Sequence, residues 1–249
     1  MRLHLTRRRV TAGVALVTVA ALARRWQDGR EHVRSAEAPG TPVSHPLFAR
    51  LFARFAPMAE ESGIAGHRDE LLAGLSGRVI ELGAGTGLNF GRYPGSVTEV
   101  VAVEPEPYLR ARAIAAARRA PVPVRVVEAA ADALPFEDGE FDMAVTSLVL
   151  CSVSDPAAAL EELRRVLRPD GKLHFYEHVL AEDPRLARLQ RGADLFWPRL
   201  GGGCHTSRNT VAAIEQAGFQ DVSCRRFHFR PCVLAAPVSP MVIGQATRP

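Results

Sequence analysis

The segment Glu81-Leu82-Gly83-Ala84-Gly85-Thr86-Gly87 constrains the fold more than any other part of this chain. Three glycines at alternate positions follow the apolar run Arg78-Val79-Ile80-Glu81. Such a pattern marks a strand ending in a backbone turn that can approach a ligand closely. Further apolar strands are expected at residues 100–103, 124–127, 143–149 and 173–176, and two more at 222–229 and 241–246. Helices fall between them. One begins at Pro107 and stops before Pro121. Another starts at Asp155-Pro156, an N-cap followed by proline at the first helical position, and stops at Arg168-Pro169-Asp170-Gly171. A third covers 210–217 and is closed by Gly218. This alternation predicts an α/β fold: a Rossmann-like, doubly wound, mainly parallel seven-stranded sheet with an antiparallel last strand. In such sheets ligands bind outside the carboxyl ends of the strands.

Ahead of the first strand, Leu47, Phe48, Leu51, Phe52, Phe55 and Met58 recur at helical spacing. They suggest a helix packed on the core, or else a lid over the ligand edge. The chain of 249 residues divides into a tail and linker (1–44) and one domain (45–249). The overall charge is +4; residues 1–30 carry +6 (seven arginines against Asp28), so residues 31–249 carry −2. The basic character therefore belongs to the tail, and no nucleic-acid partner is expected for the body.

The glycines have the spacing G-x-G-x-G, without the extra residue of the dinucleotide fingerprint. Glu81 stands two residues before the first of them, where a carboxylate suits a cationic ligand end better than a pyrophosphate. Glu104 ends the second strand, where a carboxylate accepts both hydroxyls of a ribose. An NAD-dependent oxidoreductase shares that last feature and is one alternative; a non-catalytic, cofactor-binding regulatory protein is another.

Four motifs fall in order over about residues 75–178: Val79 to Gly87, Val103-Glu104-Pro105, Leu134-Pro135-Phe136 with Phe141-Asp142, and Leu163 to Gly171 (LRRVLRPDG). Together they resemble the motif series of class I S-adenosylmethionine-dependent methyltransferases. The resemblance implies S-adenosyl-L-methionine as cofactor and a small-molecule methyl acceptor. It implies cofactor contacts at Glu81, Gly83, Ala84, Gly85 and Gly87 around the methionine part, and at Glu104 and Pro105 around the ribose. Ser147 and Leu148 match the segment flanking the transferring methyl. Where many members carry an acid for the adenine amine, this chain has Ala129-Ala130-Ala131, so backbone groups of Ala130 or Ala131 take that place. A narrower resemblance, to the alkyl-thiol S-methyltransferases of the methyltransferase-like group, rests on ELGAGTGLNF (81–90), Tyr93-Pro94, Leu148 to Val153, Tyr176-Glu177-His178-Val179, Gly203-Cys204-His205 and Arg208-Asn209-Thr210. It implies a thiol or lipid-like acceptor and an apolar amino-terminal membrane attachment.

His178 and Glu177, just past the fifth strand, are the candidate catalytic pair: a proton acceptor and a carboxylate that orients it. A plainer role for Glu177 is pairing with an arginine such as Arg208. Asp194 and Trp197 are expected on a following helix bordering the acceptor pocket, and Gly201-Gly202-Gly203 reads as a lid hinge. The four cysteines, Cys151, Cys204, Cys224 and Cys232, form no C-x-x-C pair and read as reduced thiols, Cys151 as a small core residue. Cys204-His205 has too few ligands at regular spacing for metal, so no metal site is expected. A Cys151–Cys204 pair would suit arsenite, but the cysteine pattern of arsenic methyltransferases is not reproduced.

In the tail, Arg7-Arg8-Arg9 precedes an apolar run (10–23) that resembles a signal peptide with Ala21-Leu22-Ala23 as cleavage site. Arg24-Arg25 directly after that site, and a body built for a cytoplasmic cofactor, argue against export. The remaining readings are an anchor making peripheral membrane contact through residues 7–25, in a cytoplasmic protein at the inner face of the membrane, or a start codon placed too early.

Overall fold

The computed structural model describes residues 45–230 and 233–249. The expectations for residues 1–44 and for Cys232 lie outside the described residues. Helix α1 (Pro46–Ala59), a wider turn (Glu60–Ile64) and α2 (Ala65–Leu72) lead into β1 (Gly77–Leu82). Then follow β2 (Val97–Val103), α3 (Pro107–Ala117), β3 (Val124–Val127), β4 (Phe141–Ser147), α4 (Pro156–Val166) and β5 (Leu167–His178). The remainder is α5 (Pro184–Ala193), the short α6 (Trp197–Leu200), α7 (Thr210–Gln216), β6 (Gln220–His228) and β7 (Pro240–Thr247).

The seven strands form one sheet in the order β3-β2-β1-β4-β5-β7-β6. The pairs joining β3, β2, β1, β4 and β5 are parallel, and β7 runs antiparallel between β5 and β6. This is the expected doubly wound sheet with an antiparallel last strand. The order reverses between β1 and β4, so the crevice for a ligand opens at their carboxyl ends.

Apolar strands covered on both faces need near-continuous aliphatic runs. One face of the sheet packs Ile80, Leu82, Val101 and Val103 against Leu160 and Leu163 of α4 and Ile214 of α7. The other packs Val79, Val100 and Ala102 against Leu71 and Leu72 of α2 and Ala113 of α3. The helix starts are chemically specified. Glu106 accepts from the Leu109 N–H at 2.8 Å, Asp155 from Ala157 and Ala158, and Asp183 from Arg185 and Leu186.

Three expectations require correction. The fifth strand does not stop at Tyr176: Glu177 and His178 are its last residues, paired with Val242 and Met241 of β7. The turn expected at 168–171 lies inside β5, where the register passes from Phe141↔Leu167 to Met143↔Lys172 and Asp170 takes φ 62°. A register break absorbs the turn and leaves strand on both sides of it. The helix at the amino end does not bury its apolar face. Ala49 and Ala56 are buried and Phe48 and Phe52 half-buried, but Leu47, Leu51, Phe55 and Met58 stand in solvent.

Candidate active site

β1 delivers Glu81 to the sheet edge and the chain then turns through Gly83 (φ 66°), Gly85 (φ 58°) and Gly87 (φ 80°). At Gly83 the turn is also close-packed. A Cβ there would lie 2.5 Å from Val149, so the loop presses on the segment that follows β4. At Gly85 the space is open, the nearest atom being the Phe52 ring of α1 at 3.4 Å. The Ala84 N–H bonds the Val103 carbonyl, which ties the loop to the end of β2.

Glu104 follows β2. One carboxylate oxygen accepts from the Gly85 N–H at 2.7 Å and the other from the Glu106 N–H at 3.0 Å. Burial raises its pKa to about 7 against these two backbone donors. Each oxygen keeps a lone pair for a further donor. Glu81 is also buried; it accepts from Asn89 Nδ2 at 2.8 Å and from the Tyr93 hydroxyl at 2.7 Å. Burial raises it to about 7 as well, opposed by Tyr93, Asn89 and Arg68. Arg68 acts through the Asn89 side-chain oxygen (2.9 Å), and it also reaches Ser147 Oγ (3.0 Å) and Glu60 (2.8 Å). Sequence reasoning missed Arg68, Asn89 and Glu60 in this network. Only Asn89 lay within a recognised motif, as part of ELGAGTGLNF.

Among the described residues, neither Glu81 nor Glu104 has a direct ion-pair partner. Two buried carboxylates that touch no cation directly are costly unless a ligand completes them. They stand at the ends of adjacent strands, with the open side of Gly85 between them. That donor set fits S-adenosyl-L-methionine, whose cationic methionine end would meet Glu81 and whose ribose hydroxyls would meet Glu104. Pro105 is turned into place by Arg110, which donates to the carbonyls of both Glu104 and Pro105. Ala130 and Ala131 lie in a tight turn closed by an Ala133 N–H bond to the Ala130 carbonyl. Ser147 ends β4, and Leu148 takes φ 62°, its N–H bonded to the Tyr176 carbonyl at 2.7 Å. A positive φ at a non-glycine residue is a strained choice that turns the chain sharply over the ligand edge.

Beyond Leu148 a second cluster forms. Glu177 is fully buried and accepts from the backbone N–H groups of Val149 and Leu150 (3.1 Å each) and Cys151 (3.3 Å). It shapes the 149–151 turn and makes no hydrogen bond to the His178 ring. Its expected partner Arg208 grips the same turn from outside, donating to the carbonyls of Leu150 and Val153 at 2.7 Å each. His178 is half-buried, with Nδ1 3.5 Å from both Cys151 Sγ and Cys204 Sγ; the two sulfurs are 3.6 Å apart. Burial opposes protonation of His178, but Cys151 and Glu177 outweigh it and the imidazole pKa is raised.

Gly201-Gly202-Gly203 is a hydrogen-bonded turn rather than a free hinge. Gly201 bonds the Trp197 carbonyl and Gly203 the Pro198 carbonyl. A Cβ at Gly203 would lie 2.6 Å from the Ser152 carbonyl oxygen. This close approach seats Cys204 against Cys151, and the His205 N–H bonds the Cys151 carbonyl at 2.7 Å. The His205 ring lies toward Asp194, with Nδ1 3.9 Å from its carboxylate. Asp194, the residue after α5, is occupied by Thr206 and Ser207, which donate through both backbone and hydroxyl groups. Trp197 lies beside Cys204; its buried indole N–H is close enough to help lower the pKa of that thiol but makes no hydrogen bond of ordinary geometry. Along the chain Cys204 has only His205 beside it. In the fold its sulfur instead faces Cys151 and His178, which are distant from it in the chain.

Residues 80–175 match the family described as the methyltransferase domain. The chain is 36% identical over 183 residues to thiol S-methyltransferase TMT1B of Homo sapiens, covering 71% of this chain and 74% of that protein. It is 34% identical over 182 residues to the human thiol S-methyltransferase TMT1A, covering 71% and 73%. The fold is similar to that of an S-adenosylmethionine-dependent methyltransferase from Aquifex aeolicus, with a TM-score of 0.57 at 16% identity over 81% of this chain and 98% of that one. The oxidoreductase and regulatory alternatives draw no support from these comparisons.

Proposed function

Because the chain belongs to the S-adenosylmethionine-dependent methyltransferase family, we propose that the small molecule it methylates is a thiol and that the acceptor enters beside His178. When bound, the cofactor supplies an electrophilic methyl group on a sulfonium. The protein's own contribution is to hold that end of the ligand with Glu81, hold the ribose with Glu104, exclude water and present the acceptor in line. Gly83, Ala84, Gly85, Gly87 and Pro105 shape the cradle, Ala130 and Ala131 border the adenine, and Ser147 and Leu148 flank the methyl.

The observation that carries the thiol reading is that Glu177, the residue before His178, holds the Val149 N–H, and Val149 is the residue on which the glycine loop packs. The named thiol S-methyltransferases covering most of this chain support it. A neutral thiol attacks only after losing its proton. His178 is the group at that edge able to take it near neutral pH. Glu177 is a positioning residue: it holds the Val149–Cys151 turn and adds negative charge beside the imidazole.

Release of S-adenosylhomocysteine measured over a panel of alkyl thiols, phenols, amines and lipids tests this reading. Turnover is expected with alkyl thiols and not with amines. His178→Ala should lower thiol turnover about 10²–10⁴-fold with cofactor affinity unchanged. Turnover with amines alone, or an unaltered His178→Ala enzyme, contradicts it.

The same proposal takes residues 45–249 as the catalytic domain and residues 7–25 as a peripheral membrane contact at the cytoplasmic face. Arginines flanking an apolar run support the latter. So does the solvent-exposed stripe of Leu47, Leu51, Phe55 and Met58 at the start of the domain. Among the described residues no helix is long and apolar enough to cross a membrane.

A further inference from the structure

We propose that Cys151, His178 and Cys204 form a three-ligand site for a zinc ion, with a fourth position left open to the sulfur of the acceptor. The three ligand atoms form a triangle. Its edges are 3.6 Å between the sulfurs and 3.5 Å from each sulfur to His178 Nδ1. A tetrahedral zinc ion, with Zn–S of about 2.3 Å and Zn–N of about 2.0–2.1 Å, sets two sulfur ligands about 3.8 Å apart and a sulfur and a nitrogen about 3.5 Å apart. The three atoms thus stand close to where the ion would need them. A linear dithiolate ion would spread the sulfurs and leave His178 out. A disulfide would need the sulfurs to close to about 2.05 Å.

The charges also balance. Cys151 and Cys204 are buried. Two buried thiolates are unstable alone, but two thiolates and one Zn²⁺ with a neutral imidazole sum to zero. Loading the site releases two thiol protons to water. The donor set of two thiolates and an imidazole suits zinc, and three protein ligands with one open position is the arrangement of zinc sites that bind a reactant.

The surroundings hold the ligands as an outer shell should. Glu177 fixes the Cys151 backbone N–H, and the His205 N–H fixes its carbonyl. The Thr210 hydroxyl bonds the His178 carbonyl at 3.3 Å, and Arg208 clamps the turn. The Trp197 N–H beside Cys204, which lacks a hydrogen bond of ordinary geometry, is a donor placed to support a metal-bound thiolate. His178 is the half-buried member of the three, and both cysteines are buried.

The role of the open position rests on the thiol reading above and replaces one part of it. With zinc present, the acceptor R–SH binds as R–S⁻ and its proton passes to water. His178 then acts as a ligand, not as the proton acceptor.

The test uses the full-length protein, reduced, incubated with Zn²⁺ and desalted. Zinc is expected at one ion per chain. The stoichiometry should fall at least tenfold in the Cys151→Ser, Cys204→Ser double variant and in His178→Ala, and stay at one in Cys224→Ser, which alters an exposed cysteine. Retained cofactor binding by calorimetry shows that a variant is folded. Co²⁺ in place of Zn²⁺ should give thiolate charge-transfer bands and tetrahedral d–d bands. The d–d bands should shift when 2-mercaptoethanol is added without cofactor. Zinc retained by the wild type at no more than the double-variant level overturns the site. Co²⁺ bands indifferent to 2-mercaptoethanol overturn the role of its open position. Thiol turnover undiminished after chelation to metal-free protein overturns the same role while sustaining the thiol reading. Zinc at one per chain with no turnover of any thiol supports the site and refutes the thiol reading instead.

Discussion

Glu81 and Glu104 take their character from their surroundings. Both are raised from 4.5 to about 7, burial being the largest cause for each. In the unfolded chain they ionise near 4.5, so between that pH and about 7 the folded protein binds more protons. The stability this contributes is fully present below 4.5 and is lost as the pH rises through 7. Cofactor-free protein should therefore melt at a higher temperature at pH 5.5 than at pH 8, as followed by circular dichroism. A cationic ligand needs the ionised forms. Cofactor affinity should thus move the opposite way, weakening below pH 7 by up to about tenfold per unit for each carboxylate that must ionise. Parallel trends for melting and affinity would show that these groups do not face the ligand. Glu104→Ala should weaken cofactor binding by about 1.5–3 kcal/mol in calorimetry, the range for hydrogen bonds to a charged group. A loss of only a few tenths would remove Glu104 from the ribose. Both carboxylates were legible in the sequence because each sits at a strand end beside a glycine motif. Arg68 was not, because it reaches the site from α2, and no local pattern sets a helix arginine near Asn89.

At the scale of elements, α1 lies across the mouth of the glycine loop. Phe52 is the residue nearest the open side of Gly85, and it stacks on Phe48 with centroids 5.8 Å apart. Gly202, at φ 62°, admits Phe48 where any Cβ would collide with its ring. The helix is thus held by its aromatic pair between two glycine turns. This favours the lid over the core-packing alternative. Phe52→Ala should leave the melting temperature nearly unchanged, since the side chain is only half-buried. It should raise the cofactor Kd several-fold, on the order of 1 kcal/mol for the apolar ring surface that no longer shields the ligand. A large drop in melting temperature with unchanged Kd would make α1 a core element after all. Helical period alone could not separate these readings, because it shows that a stripe is apolar and not what covers it. The end of β5 was misread for a related reason. Glu177 and His178 are polar and so look like loop, yet β7 pairs with both and the polarity is satisfied from the flanking turn.

For the molecule as a whole, a chain beginning at Val43 should be folded and active on a soluble thiol, because both core layers are built from residues beyond 70. Full-length protein alone should sediment with anionic lipid vesicles. Unfolding of the shortened chain, or equal sedimentation of both forms, would contradict the assignment of tail and domain. The sheet, the succession of its strands, the antiparallel end, the glycine loop and the two strand-end carboxylates were legible along the chain. Each of these is written in contiguous residues whose period, turn chemistry or strand-end position carries the information. The cluster beyond Leu148 depends on tertiary contacts. Cys151, His178 and Cys204 come from the turn after β4, the end of β5 and the loop after α6, and they meet because those strands are neighbours and Gly203 permits close approach to Ser152. Long-range convergence of this kind leaves no periodic trace along the chain, since it depends on which strands pair and how closely two turns can pack.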